Sequence, residues 1–201
     1  MQHVELPPDG SPFDLPGARL RYFQHFFNPE EAAHFYQTLY ETIPWQQDPI
    51  TVFGKTHNQP RLTALHANNT HPYTYSGITM HPQKMTPELT QIYERISAVS
   101  SVSFTSVLLN LYRDGKDSNG WHADNEKELG KCPVIASVSF GAPRFFHLKH
   151  RTQKESRLKI LLHSGSLLLM EGETQEKWLH QIPKTAKPLS PRINLTFRKI
   201  I

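Results

Sequence analysis

Trp121-His122-Ala123-Asp124 sets an imidazole and a carboxylate two residues apart. On an extended strand alternate side chains share a face, so His122 and Asp124 point the same way and can hold one small, hard ion between them. With one remote histidine, His180, the donors become two imidazoles and a carboxylate. That composition suits iron(II) and leaves coordination positions open for a substrate and for dioxygen. Two other readings stand beside it. A chain with 12 histidines meets a His-x-Asp pair by chance often enough for it to be an ordinary polar contact on a strand. A three-ligand site with an open position also suits hydrolytic zinc.

The segment Arg192-Ile193-Asn194-Leu195-Thr196-Phe197-Arg198 bears on that choice. Arg192, Asn194, Thr196 and Arg198 share one parity and Ile193, Leu195 and Phe197 the other, so a strand here turns two guanidiniums, an amide and a hydroxyl to one side. Guanidinium buried without a partner is costly, so two arginines on an inward face ask for an anion, and a dicarboxylate satisfies both. The two arginine Cα atoms stand roughly 20 Å apart along the strand, so their long side chains must converge along a curve. Zinc hydrolysis needs no dicarboxylate cosubstrate, and the arginine strand therefore argues for iron.

Short strands have to carry these groups. From Phe104 onward the apolar period is that of strands, over 104–112, 121–124, 134–140, 144–149, 158–163, 166–170, 178–182 and 192–199. Turn-rich connections such as Asp117-Ser118-Asn119-Gly120 separate them. The pattern predicts an α+β fold, a double-stranded β-helix or jelly roll with helices packed on the outside. Upstream, Asn28-Pro29-Glu30-Glu31 has the cap, the first-position proline and the third-position glutamate of a helix start, with Ala32, Phe35, Tyr36, Leu39 and Ile43 following at helical spacing. Thr86 and Pro87 open a second helix with Leu89, Ile92, Tyr93, Ile96 and Val99 on one face. Residues 19–27 alternate as a strand, whereas 1–18, with Pro7, Pro8, Gly10, Pro12, Pro16 and Gly17, read as an irregular arm. A chain of 201 residues predicts one domain, 19–201, with 100–201 as the jelly-roll core.

A formal net charge of +4 favours a polyanionic partner. No apolar run approaches the ~20 residues of a membrane span, so no membrane partner is expected. The first eight residues lack the basic and apolar parts of a secretory signal, and a lone cysteine, Cys132, cannot close an internal disulfide. The expectation is an intracellular monomer, cytoplasmic in a bacterium and nuclear in a eukaryote.

Together, His122-x-Asp124, His180 and Arg192-x-Asn194-x-Thr196-x-Arg198 resemble the AlkB family of iron(II)- and 2-oxoglutarate-dependent nucleic-acid dealkylases, over about residues 52–201 and most of all its duplex-DNA members. The resemblance implies Fe(II) on His122, Asp124 and His180 as the catalytic centre, with 2-oxoglutarate and O2 as cosubstrates. It implies oxidative dealkylation of bases of the 1-methyladenine and 3-methylcytosine type, releasing formaldehyde, succinate and CO2 in direct DNA repair. It also assigns Asn110 and Tyr112 to 2-oxoglutarate, Arg192 to its distal carboxylate and Arg198 to the carboxylate next to iron, assisted by Asn194 and Thr196. Arginine suits both places because its planar fork binds carboxylate in a bidentate way.

The same resemblance makes 45–80 a nucleotide-recognition lid. In Val52-Phe53-Gly54-Lys55, followed by Arg61, Phe53 matches the hairpin aromatic that fills the gap left in a duplex by a flipped base. In Tyr73-Thr74-Tyr75-Ser76-Gly77, Tyr75 matches the aromatic that stacks on that base, with Tyr73 and Ser76 beside it. The chain departs from the duplex-DNA members at Asn125, where they carry an acidic residue, and in His66-Ala67-Asn68-Asn69. Glu126 shares parity with His122 and Asp124 and faces either a cationic base in the same pocket or solvent. Lys149, His150, Arg151, Lys154, Arg157 and Lys159 either track phosphates or form a solvated connection. Rival activities are iron-dependent hydroxylation or demethylation of RNA, protein or a small molecule, and nucleic-acid binding with a vestigial metal site. The intact set of three ligands and two arginines argues against the last.

Overall fold

The computed structural model describes residues 1–52, 55–69, 73–75 and 78–201; for 50–52, 55, 73–75 and 78–80 it describes the backbone. β1 (Gln2–His3) and β2 (Asp9–Leu15) precede β3 (Ala18–Phe23) and helix α1 (Pro29–Thr42). β4 (Pro49–Val52), β5 (Lys55–Asn58), β6 (Leu62–Ala67), β7 (Tyr73–Tyr75), β8 (Ile78–Met80) and β9 (Gln83–Lys84) lead to α2 (Pro87–Ser97). The C-terminal half holds β10 (Ser106–Tyr112), β11 (Asn119–His122), β12 (Ile135–Gly141) and β13 (Arg144–His150). It continues with β14 (Arg157–Leu162), β15 (Ser166–Glu171), the short helix α3 (Thr174–Lys177), β16 (Trp178–Ile182) and β17 (Arg192–Arg198).

Both long helices begin as their sequences dictate. The Asn28 side chain accepts the Glu31 N–H and Glu31 returns the favour to the Asn28 N–H, each at 2.9 Å, with Pro29 at the first helical position. Thr86 accepts the Leu89 N–H at 3.3 Å in the same role for α2. The buried faces, Ala32, Phe35 and Leu39 on α1 and Leu89, Ile92 and Ile96 on α2, lie against one sheet. Truncating Leu39, fully buried there, to alanine costs roughly 2–5 kcal/mol.

Two sheets make the body, one in the order β1-β14-β13-β16-β11 and the other β2-β3-β15-β12-β17-β10-β6-β9. Non-sequential neighbours such as β10, β17 and β12 are those of a jelly roll. Alternation lets the eight-stranded sheet serve two layers. Val107, Leu109, Val138, Ile193, Leu195 and Phe197 turn to the helices. Residues of the other parity, including Tyr112, Ile135, Leu168 and Met170, face Phe146, Leu148, Ile160, Trp178 and Ile182 of the smaller sheet. The polar residues of β17 fall on this second side, between the sheets. Among the described residues no helix is long and apolar enough to cross a membrane.

Residues 1–18 depart from the irregular arm that their prolines suggest. β1 runs parallel to β14, and β2 runs antiparallel to β3, so each extends the edge of a different sheet. An edge strand has one unpaired side, which is where Pro12 is tolerated. Gly10 sits at φ +83°, where the ladder shifts register, and a Cβ there would meet the Phe23 ring at 2.1 Å.

Candidate metal and anion site

β11 and β16 are antiparallel neighbours that set His122 opposite His180, with ring centroids 4.2 Å apart. The ladder shifts register between Asn119 and His122. Such a bulge re-aims side chains, and here it lets two residues three apart both line the cavity between the sheets. Asp124 is placed differently from the strand parity expected for it, because β11 ends at His122. Two contacts fix it instead. Gln175 of α3, fully buried, accepts the Asp124 N–H through Oε1 at 3.0 Å, and Arg198 Nη2 donates to Asp124 Oδ1 at 2.9 Å. One donor atom from each of His122, Asp124 and His180 lies within 4.8 Å of the others.

Burial sets the charge of this trio. It depresses His180 to a pKa of about 3, with His122 pushing the same way, and it lowers His122 as well. For Asp124 burial alone would raise the pKa, but Arg198, His180 and His122 outweigh it and hold the carboxyl at about 2. At neutral pH the donors are therefore two neutral imidazoles and one carboxylate, the protonation state in which they bind a divalent cation. His122 Nδ1–H donates to the Gly120 carbonyl at 2.7 Å, which leaves the lone pair on Nε2, and the Asn119 amide donates to that nitrogen at 3.2 Å.

The anion side of the cavity is built by β10, β12 and β17. Arg192 is 1% exposed, donates from Nη2 to Ser139 Oγ at 2.9 Å, and sets its guanidinium 5.4 Å from the Tyr112 ring centroid. Its Nε and Nη1 are buried with no hydrogen-bond partner among the described residues. Burial lowers its pKa to about 10, so it stays cationic at neutral pH. A buried guanidinium with two nitrogens unpartnered among the described residues fits the carboxylate of a ligand. Asn194 Nδ2 donates to Ser137 Oγ at 2.8 Å and to the Val138 carbonyl at 2.9 Å, and Thr196 Oγ1 donates to Asn194 Oδ1 at 3.2 Å. Asn110, Tyr112, Arg192, Asn194, Thr196 and Arg198 all line the cavity that His122, Asp124 and His180 line. Arg198 lines the same cavity and pairs with Asp124, so beside the place expected for it at the cosubstrate it also holds a ligand carboxylate. The donor set fits iron(II), and Arg192 fits the far end of a dicarboxylate.

Arg61, Glu126 and the basic cluster do not line this cavity. Arg61 is buried and donates from Nε to Asn110 Oδ1 at 2.8 Å, beside a lining residue without itself lining the cavity. Glu126 is half-buried as the N-cap of a 3-10 turn, Lys127–Leu129, and is not among the lining residues either, because the strand that would have carried its parity has already ended. Within the basic cluster His150 ends β13, its Nδ1 accepting the N–H groups of Thr152 and Gln153 in the turn that follows. Lys149 and Lys159 lie over the rings of Trp121 and Phe145, and Arg151, Lys154 and Arg157 are exposed. Phe53, Gly54 and Ser76, and the side chains of Lys55, Tyr73 and Tyr75, lie outside the described residues. Sequence reasoning missed Asn119, Ser137, Ser139, Arg144 and Gln175. Ser137 and Ser139 did carry a signal, a shared parity in an apolar strand, and β12 pairs them with Thr196 and Asn194. Arg144 is buried and donates to the carbonyls of Asp114, Asp117 and Pro183 at 3.1, 3.0 and 2.7 Å.

The family model of the 2OG-Fe(II) oxygenase superfamily matches residues 19–198. The bovine protein named alpha-ketoglutarate-dependent dioxygenase alkB homolog 3 is 43% identical over 184 residues, covering 87% of this chain and 64% of its own length. Human DNA oxidative demethylase ALKBH2 is 38% identical over 185 residues, covering 87% of this chain and 71% of its own length. The chain thus spans about two thirds of the length of these relatives, and the comparison does not single out the duplex-DNA members. A solved structure described as OsALKBH1 superposes with a TM-score of 0.63 at 17% identity, covering 93% of this chain and 98% of that one, a likeness of fold.

Proposed function

The chain belongs to the 2OG-Fe(II) oxygenase superfamily and, within it, to the AlkB-type dioxygenases, and we propose that it oxidatively dealkylates nitrogen atoms of DNA bases of the 1-methyladenine and 3-methylcytosine type. One observation carries the chemistry: buried Arg192, with two nitrogens unpartnered among the described residues, shares a cavity with the His122, Asp124 and His180 donors. The names of the relatives carry the substrate class. When bound, iron(II) with 2-oxoglutarate and dioxygen supplies the oxidation of the N-alkyl carbon, giving succinate, CO2 and formaldehyde.

The protein's own part is to bind and orient. His122 and His180 offer neutral imidazoles and Asp124 its carboxylate, Arg192 holds the distal carboxylate of 2-oxoglutarate, and Asn110, Tyr112, Asn194 and Thr196 shape its bed. Arg198 keeps Asp124 ionised and lines the same bed. The base reaches this cavity only when turned out of its stack, and Phe53 is the side chain proposed to fill the vacated place in a duplex, with Tyr75 stacking on the extruded base. A monomer suffices for these roles.

The test supplies iron(II) and 2-oxoglutarate to the full chain with methylated single-stranded and duplex oligonucleotides, DNA and RNA side by side, and measures formaldehyde and succinate. The expected result is stoichiometric release of both on DNA, lost in His122→Ala and Asp124→Ala. Uncoupled succinate without formaldehyde on every oligonucleotide rejects a nucleic-acid substrate. Phe53→Ala should impair duplex repair more than single-strand repair, and equal losses remove the wedge.

A further inference from the structure

We infer that Asn119 is a positioning residue of the metal centre: its amide occupies the ligating nitrogen of His122 until a metal ion displaces it, and then donates to the oxygens of the bound 2-oxoglutarate. The inference rests on the reading of His122, Asp124 and His180 as metal ligands and of Arg192 as the cosubstrate's partner.

The ring of His122 has one nitrogen to give. Its Nδ1–H is committed to the Gly120 carbonyl at 2.7 Å, so the lone pair is on Nε2, and the Asn119 amide donates to that lone pair at 3.2 Å. Three residues apart on a regular strand, the two side chains would point to opposite faces. The register shift between Asn119 and His122 brings both to the cavity. This bond is the sole hydrogen bond of the Asn119 side chain among the described residues. Asn194, another lining amide, is committed differently, to Ser137 and Val138 in the cavity wall.

A single lone pair serves an N–H donor or a metal, not both. Metal binding therefore ejects the amide from Nε2 while its backbone, paired to Ile182 across the ladder, keeps it at the cavity wall. The freed amide, half-buried at the cavity wall, gains from a new acceptor, and the acceptors brought into the cavity with the metal are the oxygens of the cosubstrate. The same residue thus opposes metal uptake and favours the cosubstrate. One neutral hydrogen bond corresponds to about two- to tenfold in either affinity.

Asn119→Leu removes the donor at similar size. Metal-free full-length protein, wild type and variant, is titrated with cobalt(II) and followed by visible absorption, and the cobalt-loaded proteins are then titrated with 2-oxoglutarate. The variant is expected to bind cobalt about two- to tenfold more tightly and 2-oxoglutarate weaker by a similar factor. A structural role alone would weaken both, and that result overturns the inference, as does an unchanged cobalt affinity or an unchanged 2-oxoglutarate affinity. Asn119→Ala repeats the measurement if leucine disturbs folding. Failure of the wild type to take up cobalt removes the ligand assignment itself, an outcome distinct from equal cobalt binding by wild type and variant.

Discussion

Arg198 Nη2 lies 2.9 Å from Asp124 Oδ1, with side chains only 3% and 1% exposed. The bond joins the last polar residue of β17 to a carboxylate that sits beyond the end of β11, so it ties the two sheets together where their facing surfaces carry the donor atoms. Arg198 thus neutralises a ligand carboxylate while lining the cavity, whereas Arg192 has no carboxylate partner among the described residues.

Removing one partner of a buried pair strands the other charge, at a typical cost of roughly 3–5 kcal/mol. Arg198→Met should destabilise the metal-free protein by about that much. A divalent ion beside Asp124 supplies the missing counter-charge, so cobalt(II) should recover part of the loss. Urea unfolding with and without cobalt checks this, and an identical loss in both conditions contradicts it.

Arg192 is the opposite case, since its charge is buried with two nitrogens unmet among the described residues before any ligand arrives. Arg192→Met should leave the stability of the ligand-free protein unchanged or higher, because it replaces an incompletely paired cation by an apolar side chain of similar length. Binding should suffer heavily. Loss of a buried charge pair costs about 2–5 kcal/mol, or roughly 30- to several-thousandfold in 2-oxoglutarate affinity. Thermal shift on adding 2-oxoglutarate reads both effects, and a retained shift in the variant would place the cosubstrate elsewhere.

Acid should weaken the metal-free protein early. His180 titrates at about 3 when folded and near 6.5 when unfolded, so between those values the unfolded chain binds the extra proton and stability falls as pH drops from 6.5. Asp124, at about 2 folded and 3.8 unfolded, acts in the same direction further down, with stability lost from pH 3.8 toward 2. His180→Asn should flatten the upper part of this slope. Unfolding midpoints between pH 7.5 and 4.5 measure it, and parallel slopes in variant and wild type would remove His180 as the source.

The strands that carry the site were legible because they are buried on both faces by different chemistry. In β17 apolar side chains meet the helices and polar ones the cavity, so alternation survives in the sequence. The helix starts were legible for a local reason, the reciprocal cap of Asn28 and Glu31. What could not be read were features made by long-range contact. Asp124 reaches the site after its strand has ended, held by Gln175 from 51 residues away, and no periodicity announces that. Asn119 joins the lining through a bulge, which breaks the parity rule used to assign faces. The bond from the Arg61 guanidinium to Asn110, 49 residues away, is likewise a contact that no local pattern announces.

The edge strands at the N-terminus give the last prediction. Leu6 is buried in the core between the sheets, and the Pro16 carbonyl accepts the indole N–H of Trp178 at 3.0 Å, on the strand that carries His180. Deleting residues 1–17 removes that apolar side chain, bares the edge of β3 that β2 covers, and takes away the acceptor for a buried indole. Loss of Leu6 burial alone is about 1.5–3 kcal/mol, and an exposed strand edge invites self-association. The truncated chain should therefore unfold at lower urea and scatter light on concentration. A mobile arm of no structural consequence would leave both the urea midpoint and the scattering where they are in the full chain.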